Sequence, residues 1–219
     1  LQGQTYELQI NYPEAERYHK KAAAIEDENP FYLDAHATLL QTMGQYDEAE
    51  PLFRRALAIG EKTLGPNHPD VATWLSNLAS LLYAQGNYLD AEPLYRRALA
   101  IGEKTLGPDH QNIATCLNNL ASLLYAQGNY LDAEPLYRRA LAISEKTLGP
   151  NHPDVATRLN NLALLLKAQA KYDEAEPLYR RALAIDEKAL GPNHPGVATN
   201  LNNLANLLST QGKYVNAEP

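Results

Sequence analysis

The chain has 219 residues, a formal net charge of −7 and a single cysteine, Cys116. The acidic balance argues against the clustered Lys and Arg that bind nucleic-acid phosphates. One cysteine cannot form an intrachain disulfide, and no apolar run approaches the ~20 residues that a membrane span needs. We therefore expect a cytoplasmic protein that binds neither nucleic acid nor membrane.

One segment of sequence recurs along the chain at a fixed spacing. It reads YLDAEPLYRRALAI where it is clearest, and its copies begin 42 residues apart at Tyr46, Tyr88, Tyr130, Tyr172 and Tyr214. A degenerate copy at Tyr12 lies only 34 residues before Tyr46, because it lacks residues equivalent to part of 61–70. A period of this size is typical of stacked repeats, in which each unit buries its apolar face against its neighbours.

Each 42-residue unit contains two helical patterns. The first helix is amphipathic and ends at Gly86-Asn87; its apolar positions are Val71, Leu75, Leu78, Ala79 and Leu82. The second helix runs from about Tyr88 to Lys104, and its small residues Ala91 and Ala98 let a neighbouring helix come close. These patterns predict an all-α fold, an α-solenoid of antiparallel helix pairs.

A proline lies inside each second helix, at Pro51, Pro93, Pro135 and Pro177. A proline in a helix interior costs roughly 3 kcal/mol, whereas one in the first turn costs little. If the second helix began at Asp90, Pro93 would lie in its first turn. We therefore expect a late or kinked start to the second helix.

The charged residues of the second helix pair with one another along the helix. Glu lies four residues before Arg in the pairs Glu50/Arg54, Glu92/Arg96, Glu134/Arg138 and Glu176/Arg180. Such pairs contribute ~0.2–0.5 kcal/mol each. The Arg-Arg sequences are therefore interpreted as a solvated outer face rather than as a phosphate-binding surface.

The period divides residues 1–219 into one array. It comprises a partial repeat of the 34-residue type at 1–29, repeats at 30–68, 69–110, 111–152 and 153–194, and a truncated repeat at 195–219. Residues 1–9 and 12–25 read as helices of the partial repeat. Because the sequence begins and ends within repeats, we expect a piece of a longer array whose uncapped ends allow end-to-end self-association.

The repeat resembles the tetratricopeptide repeat. The family pattern falls on Leu75, Leu78, Ala79, Leu82, Gly86, Tyr88, Ala91, Tyr95 and Ala98. The 42-residue form, with EKTLGPNHPDVAT and LNNLA in its copies, resembles the repeat domain of kinesin light chains, and the closeness of the copies favours a bacterial member. The resemblance implies a right-handed superhelix whose first helices line a concave, peptide-binding groove. In kinesin light chains the ligands are short cargo segments, often with Trp beside acidic residues.

A ladder of amides and hydroxyls follows the face of the first helices opposite their apolar stripe. The candidate groove residues are Thr73, Ser76, Asn77, Ser80, Tyr83, Thr115, Asn118, Asn119, Ser122, Tyr125, Thr157, Arg158, Asn160, Asn161, Lys167, Asn202, Asn203 and Asn206. An Asn amide both donates and accepts, so it can pair with the N–H and C=O of an extended peptide.

Two alternatives to ligand contact stay open for this face. The second asparagines of the ladder could only bridge adjacent helices; they are Asn77, Asn119, Asn161 and Asn203. Tyr83 and Tyr125 could equally pack on a neighbouring helix. One further position differs in each repeat, as Trp74, Cys116, Arg158 and Asn200, and this variability predicts an exposed edge.

No pattern of catalytic or metal-binding residues is present in the sequence. The recurring histidines, His68, His110, His152 and His194, lie a helix pair apart, too far to share one ion, and are expected to shape the loop before each first helix. We predict no enzyme activity and no cofactor. The predicted function is a protein-interaction module that binds extended peptide segments of partner proteins in its concave groove. A self-assembling scaffold, or an accessory recognition region of a larger bacterial signalling protein, is the alternative.

Overall fold

The computed structural model describes residues 14–18, 21 and 28–212. Within them the chain forms α-helices joined by short turns. Residues 14–18 are helical, and the further helices are α1 (Pro30–Thr42), α2 (Tyr46–Leu64), α3 (Pro69–Ala84), α4 (Tyr88–Leu106), α5 (Gln111–Ala126), α6 (Tyr130–Leu148), α7 (Pro153–Ala168), α8 (Tyr172–Leu190) and α9 (Pro195–Thr210). The odd-numbered helices are first helices and the even-numbered ones second helices. The rest of the helices predicted in 1–25, and the helix from Tyr214, lie outside the described residues.

The chain divides between Leu94 and Tyr95 into two compact units. In the first unit α2 packs against both α1 and α3, and in the second unit α5 to α9 pack consecutively. Successive first helices also touch: α1 with α3, α5 with α7, and α7 with α9. The predicted all-α solenoid of helix pairs is confirmed.

The first helices from α3 onward begin with the same capping arrangement. Nδ1 of His68, His110, His152 or His194 accepts the backbone N–H two residues further on, at 3.0–3.2 Å. Such a cap satisfies one of the helix's otherwise unpaired N–H groups. As predicted, the histidines therefore have a structural role in the loops. Each one caps the first helix that follows it.

Of the late or kinked start expected for the second helix, the late start is wrong. α4 begins at Tyr88, and the Asn87 carbonyl already accepts the N–H of Ala91 at 3.2 Å. Pro93 therefore lies in the second turn and leaves the Leu89 carbonyl without its helical donor. Because Leu89 is 84% exposed, water can bond this carbonyl, and the helix continues through the proline.

The apolar stripes and small alanines form the core as predicted. Ala91 and Ala98 are completely buried. In the second unit two clusters join a first helix to its own second helix: Ile113, Ala114 and Leu117 with Ala140 and Ile143, and Val155, Ala156 and Leu159 with Ala182 and Ile185. Because the apolar face of each of these first helices packs against its own second helix, the polar face is left to make other contacts.

Candidate functional site

The asparagine ladder forms hydrogen bonds between successive first helices. In the second unit Nδ2 of Asn161 donates to Oδ1 of Asn118 at 2.9 Å, and Nδ2 of Asn203 donates to Oδ1 of Asn160 at 3.1 Å. In the first unit Nδ2 of Asn77 donates to both carboxylate oxygens of Asp34 at 3.0 Å. The two bonded residues lie 43 positions apart in the sequence in each case. Since the repeat period is 42 residues, each asparagine bonds the residue just before its own equivalent in the preceding repeat.

This bonding gives each amide a defined orientation. An ionised Asp34 can only accept, so Asn77 must point its NH₂ group backwards along the array. Asn161 and Asn203 point the same way. In the described part of the chain the NH₂ groups of Asn118 and Asn160 therefore remain without partners, as do the carbonyl oxygens of Asn161 and Asn203. Unused donors and unused acceptors thus alternate along α5, α7 and α9.

Burial of the Asp34 carboxyl raises its pKa, and the hydrogen bond from Asn77 opposes this effect. Asn118 and Asn160 occupy the equivalent position in later repeats and carry no charge. The first unit therefore holds a partly desolvated carboxylate where the second unit holds neutral amides.

The candidate groove residues differ in exposure. The exposed ones are Thr73, Thr115, Thr157, Asn202 and Asn206; the half-buried ones are Ser76, Asn77, Ser80, Tyr83, Asn119, Ser122, Tyr125, Asn160, Asn161, Lys167 and Asn203; the buried ones are Asn118 and Arg158. Within each unit the structure brings the polar residues onto successive first helices. A partner could therefore contact the exposed residues of this face directly. To contact Asn118, the most buried amide, it would have to displace neighbouring side chains.

Hydroxyls and tyrosines of this face contact neighbouring helices. Ser80 accepts a hydrogen bond from Gln41 at 3.3 Å, and Ser122 lies 2.9 Å from the Tyr137 hydroxyl. The ring of Tyr83 packs on Tyr88 and that of Tyr125 on Tyr130, with centroids 5.5 and 5.4 Å apart. Of the two interpretations left open for these tyrosines, the structure therefore contains the packing contact.

The variable position of the first helices was predicted to be an exposed edge, and this is wrong. Trp74 is 2% exposed, Arg158 8% and Asn200 3%. Two of these side chains lie against a residue of matching size or polarity on the preceding second helix: Trp74 against Gly60, and Asn200 against Asp186. Variability at this position therefore does not indicate exposure.

Arg158 is a buried cation on α7. Its Nη2 donates to the Thr115 hydroxyl at 3.0 Å, and its Nε is buried without a partner. Among the described residues it forms no ion pair, and burial lowers the pKa of its guanidinium. The same helix also carries Leu164, which is 39% exposed, and Lys167, which is half-buried. α7 therefore differs chemically from α5 and α9.

The second helices carry the predicted ion pairs and a second set that sequence reasoning missed. Arg54, Arg138 and Arg180 bond the glutamate four residues before them, as expected. Two second arginines, Arg139 and Arg181, instead reach the preceding repeat. Arg139 bonds Glu103 at 2.6 Å and the Pro108 carbonyl at 3.2 Å, and Arg181 bonds Glu145 and the Pro150 carbonyl. The repeat spacing of 36 residues between Glu and this Arg is a signal that could have revealed the contact.

The family model of the tetratricopeptide repeat matches residues 27–101, 70–146, 117–188 and 159–219. The chain belongs to the tetratricopeptide repeat family. Members of this family are generally protein–protein interaction modules and typically lack enzyme activity. No helix in the described part of this array is long and apolar enough to cross a membrane, and no three metal-ligating side chains there lie close enough to hold an ion.

Solved structures confirm the kinesin-light-chain-like type of array. BtubC (BKLC) from P. vanneervenii is 26% identical over 94% of this chain and 85% of that chain, with a TM-score of 0.77. A putative kinesin light chain from Podospora anserina with nearly identical repeats is 30% identical over 84% and 88% of the two chains, with a TM-score of 0.74. The apo form of RapI is 17% identical over 86% and 66%, with a TM-score of 0.74, and shows the fold alone. No curated protein matches the sequence.

Proposed function

We propose that the chain is a cytoplasmic adaptor that binds extended segments of partner proteins along the polar face of its first helices. The observation that carries this proposal is the alternation of unused amide donors and acceptors in the second unit. An extended peptide presents N–H and C=O groups along its length, and these are the groups that such a ladder can bond.

The bonds between repeats favour binding because they fix the amides before a peptide arrives. A donor that is already oriented loses less conformational freedom on binding. Backbone recognition gives affinity without requiring one side-chain sequence, and the differing side chains of α7, Arg158 and Lys167, add selectivity for peptides with acidic groups.

The proposal is tested with variants that keep each inter-repeat bond and remove the unused NH₂ donor. Asn118→Asp with Asn160→Asp retains an oxygen acceptor for the following asparagine, as Asp34 does for Asn77, but has no NH₂ group. The probe is a peptide selected on the unmodified chain from a display library of random linear sequences. Losing two hydrogen bonds of ~0.5–1.5 kcal/mol each should weaken its affinity by roughly tenfold, measured by fluorescence anisotropy.

A matched control separates donor loss from added charge. Ala142→Glu with Ala184→Glu adds two negative charges at exposed positions of α6 and α8 and should leave the affinity unchanged. Equal weakening in both double variants would mean that charge, not the ladder, governs binding. Unchanged affinity in the aspartate variant, shown to be folded by circular dichroism, would place the peptide elsewhere.

A further inference from the structure

Two positions that differ among the repeats, one on the second helix and one on the following first helix, face each other in two of the repeats. α4 and α6 are identical except at one residue, Gly102 in α4 and Ser144 in α6. The equivalent residues of α2 and α8 are Gly60 and Asp186. The following first helices carry a different residue in every repeat at the variable position, Trp74, Cys116, Arg158 and Asn200.

In the first unit the pair is a glycine and a tryptophan. A Cβ atom at residue 60 would lie 1.9 Å from Cζ3 of Trp74, which is far inside contact distance. The indole is 2% exposed and its other side meets the Phe31 ring edge-on, with centroids 5.3 Å apart. Gly60 is therefore the residue that leaves room for Trp74, and a larger side chain would displace the ring.

In the second unit the pair is polar. Asn200 donates its Nδ2 to Oδ2 of Asp186 at 2.7 Å, and both side chains are buried, at 3% and 9% exposure. A buried carboxylate is tolerated when it is hydrogen-bonded and is costly when it is not.

The buried serine also has its own partner. Ser144 is completely buried and its hydroxyl lies 3.3 Å from Nε2 of Gln111, which replaces the proline that opens the other first helices. Changes at this position of the second helix are thus accompanied by changes in what surrounds it.

We propose that these buried pairs specify the order in which otherwise interchangeable repeats stack. Identical α4 and α6 surfaces would permit pairing shifted by one repeat, within a chain or with a second copy of it. A shifted pairing that set an Asp186-type residue against an indole would bury an unpaired charge, and one that set Gly60 against an asparagine would leave a gap and an unpaired amide. Such mismatches penalise the wrong partner more than they strengthen the right one.

The test first exchanges one residue of each pair between the two sites, and then exchanges both residues. Trp74→Asn with Asn200→Trp keeps the composition of the chain but mismatches both pairs. Adding Gly60→Asp with Asp186→Gly restores two matched pairs, each at the other's place. Each full-length variant is examined by thermal melting and by its mass in solution over a range of concentrations.

The half-exchanged variant should melt below the unmodified chain, and its mass should rise with concentration, because its matching residues now lie on different repeats and can meet between copies. The fully exchanged variant should regain the mass of the unmodified chain and most of the melting temperature that the half-exchange loses, since the contact of the indole with Phe31 is not carried to residue 200. If half-exchange lowers melting without changing the mass, the pairs contribute stability but do not set repeat order. If the fully exchanged variant fails to recover, the pairs are not interchangeable units, and the proposal is refuted even where the half-exchanged variant does not fold.

Discussion

The two adjacent arginines of α8 should differ in their effect on stability, although both are surface cations. Arg180 bonds Glu176 within its own helix. Arg181 bonds Glu145 of the preceding second helix and, at 2.9 Å, the Pro150 carbonyl of the following loop. Replacing each with alanine therefore compares a contact within one helix with a contact between repeats.

The expected magnitudes follow from these contacts. An i,i+4 pair on a helix surface contributes about 0.3–0.5 kcal/mol, so Arg180→Ala should change the free energy of unfolding by no more than this. Arg181→Ala loses an ion pair between side chains that are 39% and 32% exposed, worth ~0.2–1 kcal/mol. It also loses a hydrogen bond to a backbone carbonyl, worth ~0.5–1.5 kcal/mol. The expected loss is roughly 1–2 kcal/mol.

Urea unfolding followed by circular dichroism measures both variants. Glu145→Gln, alone and combined with Arg181→Ala, isolates the ion pair by a double-mutant cycle. The coupling free energy of the ion pair should decrease at high salt, whereas the contribution of the hydrogen bond to the Pro150 carbonyl should change less. If Arg181→Ala costs no more than Arg180→Ala, the second arginines do not hold successive repeats together.

Three further substitutions test the packing, the ladder and the caps. Ala91→Leu should lower the free energy of unfolding by ~1–3 kcal/mol, because Ala91 is completely buried in the packed core; Ala100→Leu, at an exposed position, is the control. Asp34→Asn should stabilise the chain at neutral pH, because burial raises the pKa of the Asp34 carboxyl and so makes its ionised form costly. His152→Ala should cost about 1 kcal/mol by removing the cap on α7, whereas His152→Asn retains a capping group. All three are measured by urea unfolding.

The sign of the Asp34 effect determines its pH dependence. With a raised pKa in the folded state, the unmodified chain gains stability from this residue as the pH falls through that pKa towards the unfolded value. The advantage of Asp34→Asn should therefore diminish in acid, and an advantage that grows in acid would contradict the assignment. A neutral Ala91→Leu would place Ala91 outside the packed core, and equal stability of the two His152 variants would remove the capping role.

The helices and their buried faces were predictable because the same sequence pattern recurs in several copies of the repeat. Alanines at fixed offsets, glycine after each second helix and the apolar stripe all recur, so a chance match in one copy is corrected by the others. The start of the second helix was not predictable from propensity, since the cost of Pro93 depends on whether water reaches the Leu89 carbonyl. That exposure follows from packing.

The polar contacts were predictable only in part. The ladder of asparagines was visible from helical spacing, but their orientation depends on a partner 43 residues away. The burial of Trp74 was mispredicted because four different residues at one position suggested exposure. The partner that explains it, Gly60, is a residue without a side chain, and sequence alone gives no sign of the space it leaves.

The central claim is that the NH₂ groups of Asn118 and Asn160 that the inter-repeat bonds leave unused bind peptide backbone, and side-chain amide NMR tests it most directly. The full chain, labelled with ¹⁵N, is titrated with the library-selected peptide, and Asn118→Asp and Asn160→Asp identify the two resonances. Both NH₂ signals should shift with the same affinity that anisotropy gives, while the side-chain signals of Arg138 and Arg180 on the second helices remain in place. Shifts confined to the arginine signals, with the asparagine signals unmoved, would contradict the claim and place the ligand on the outer face.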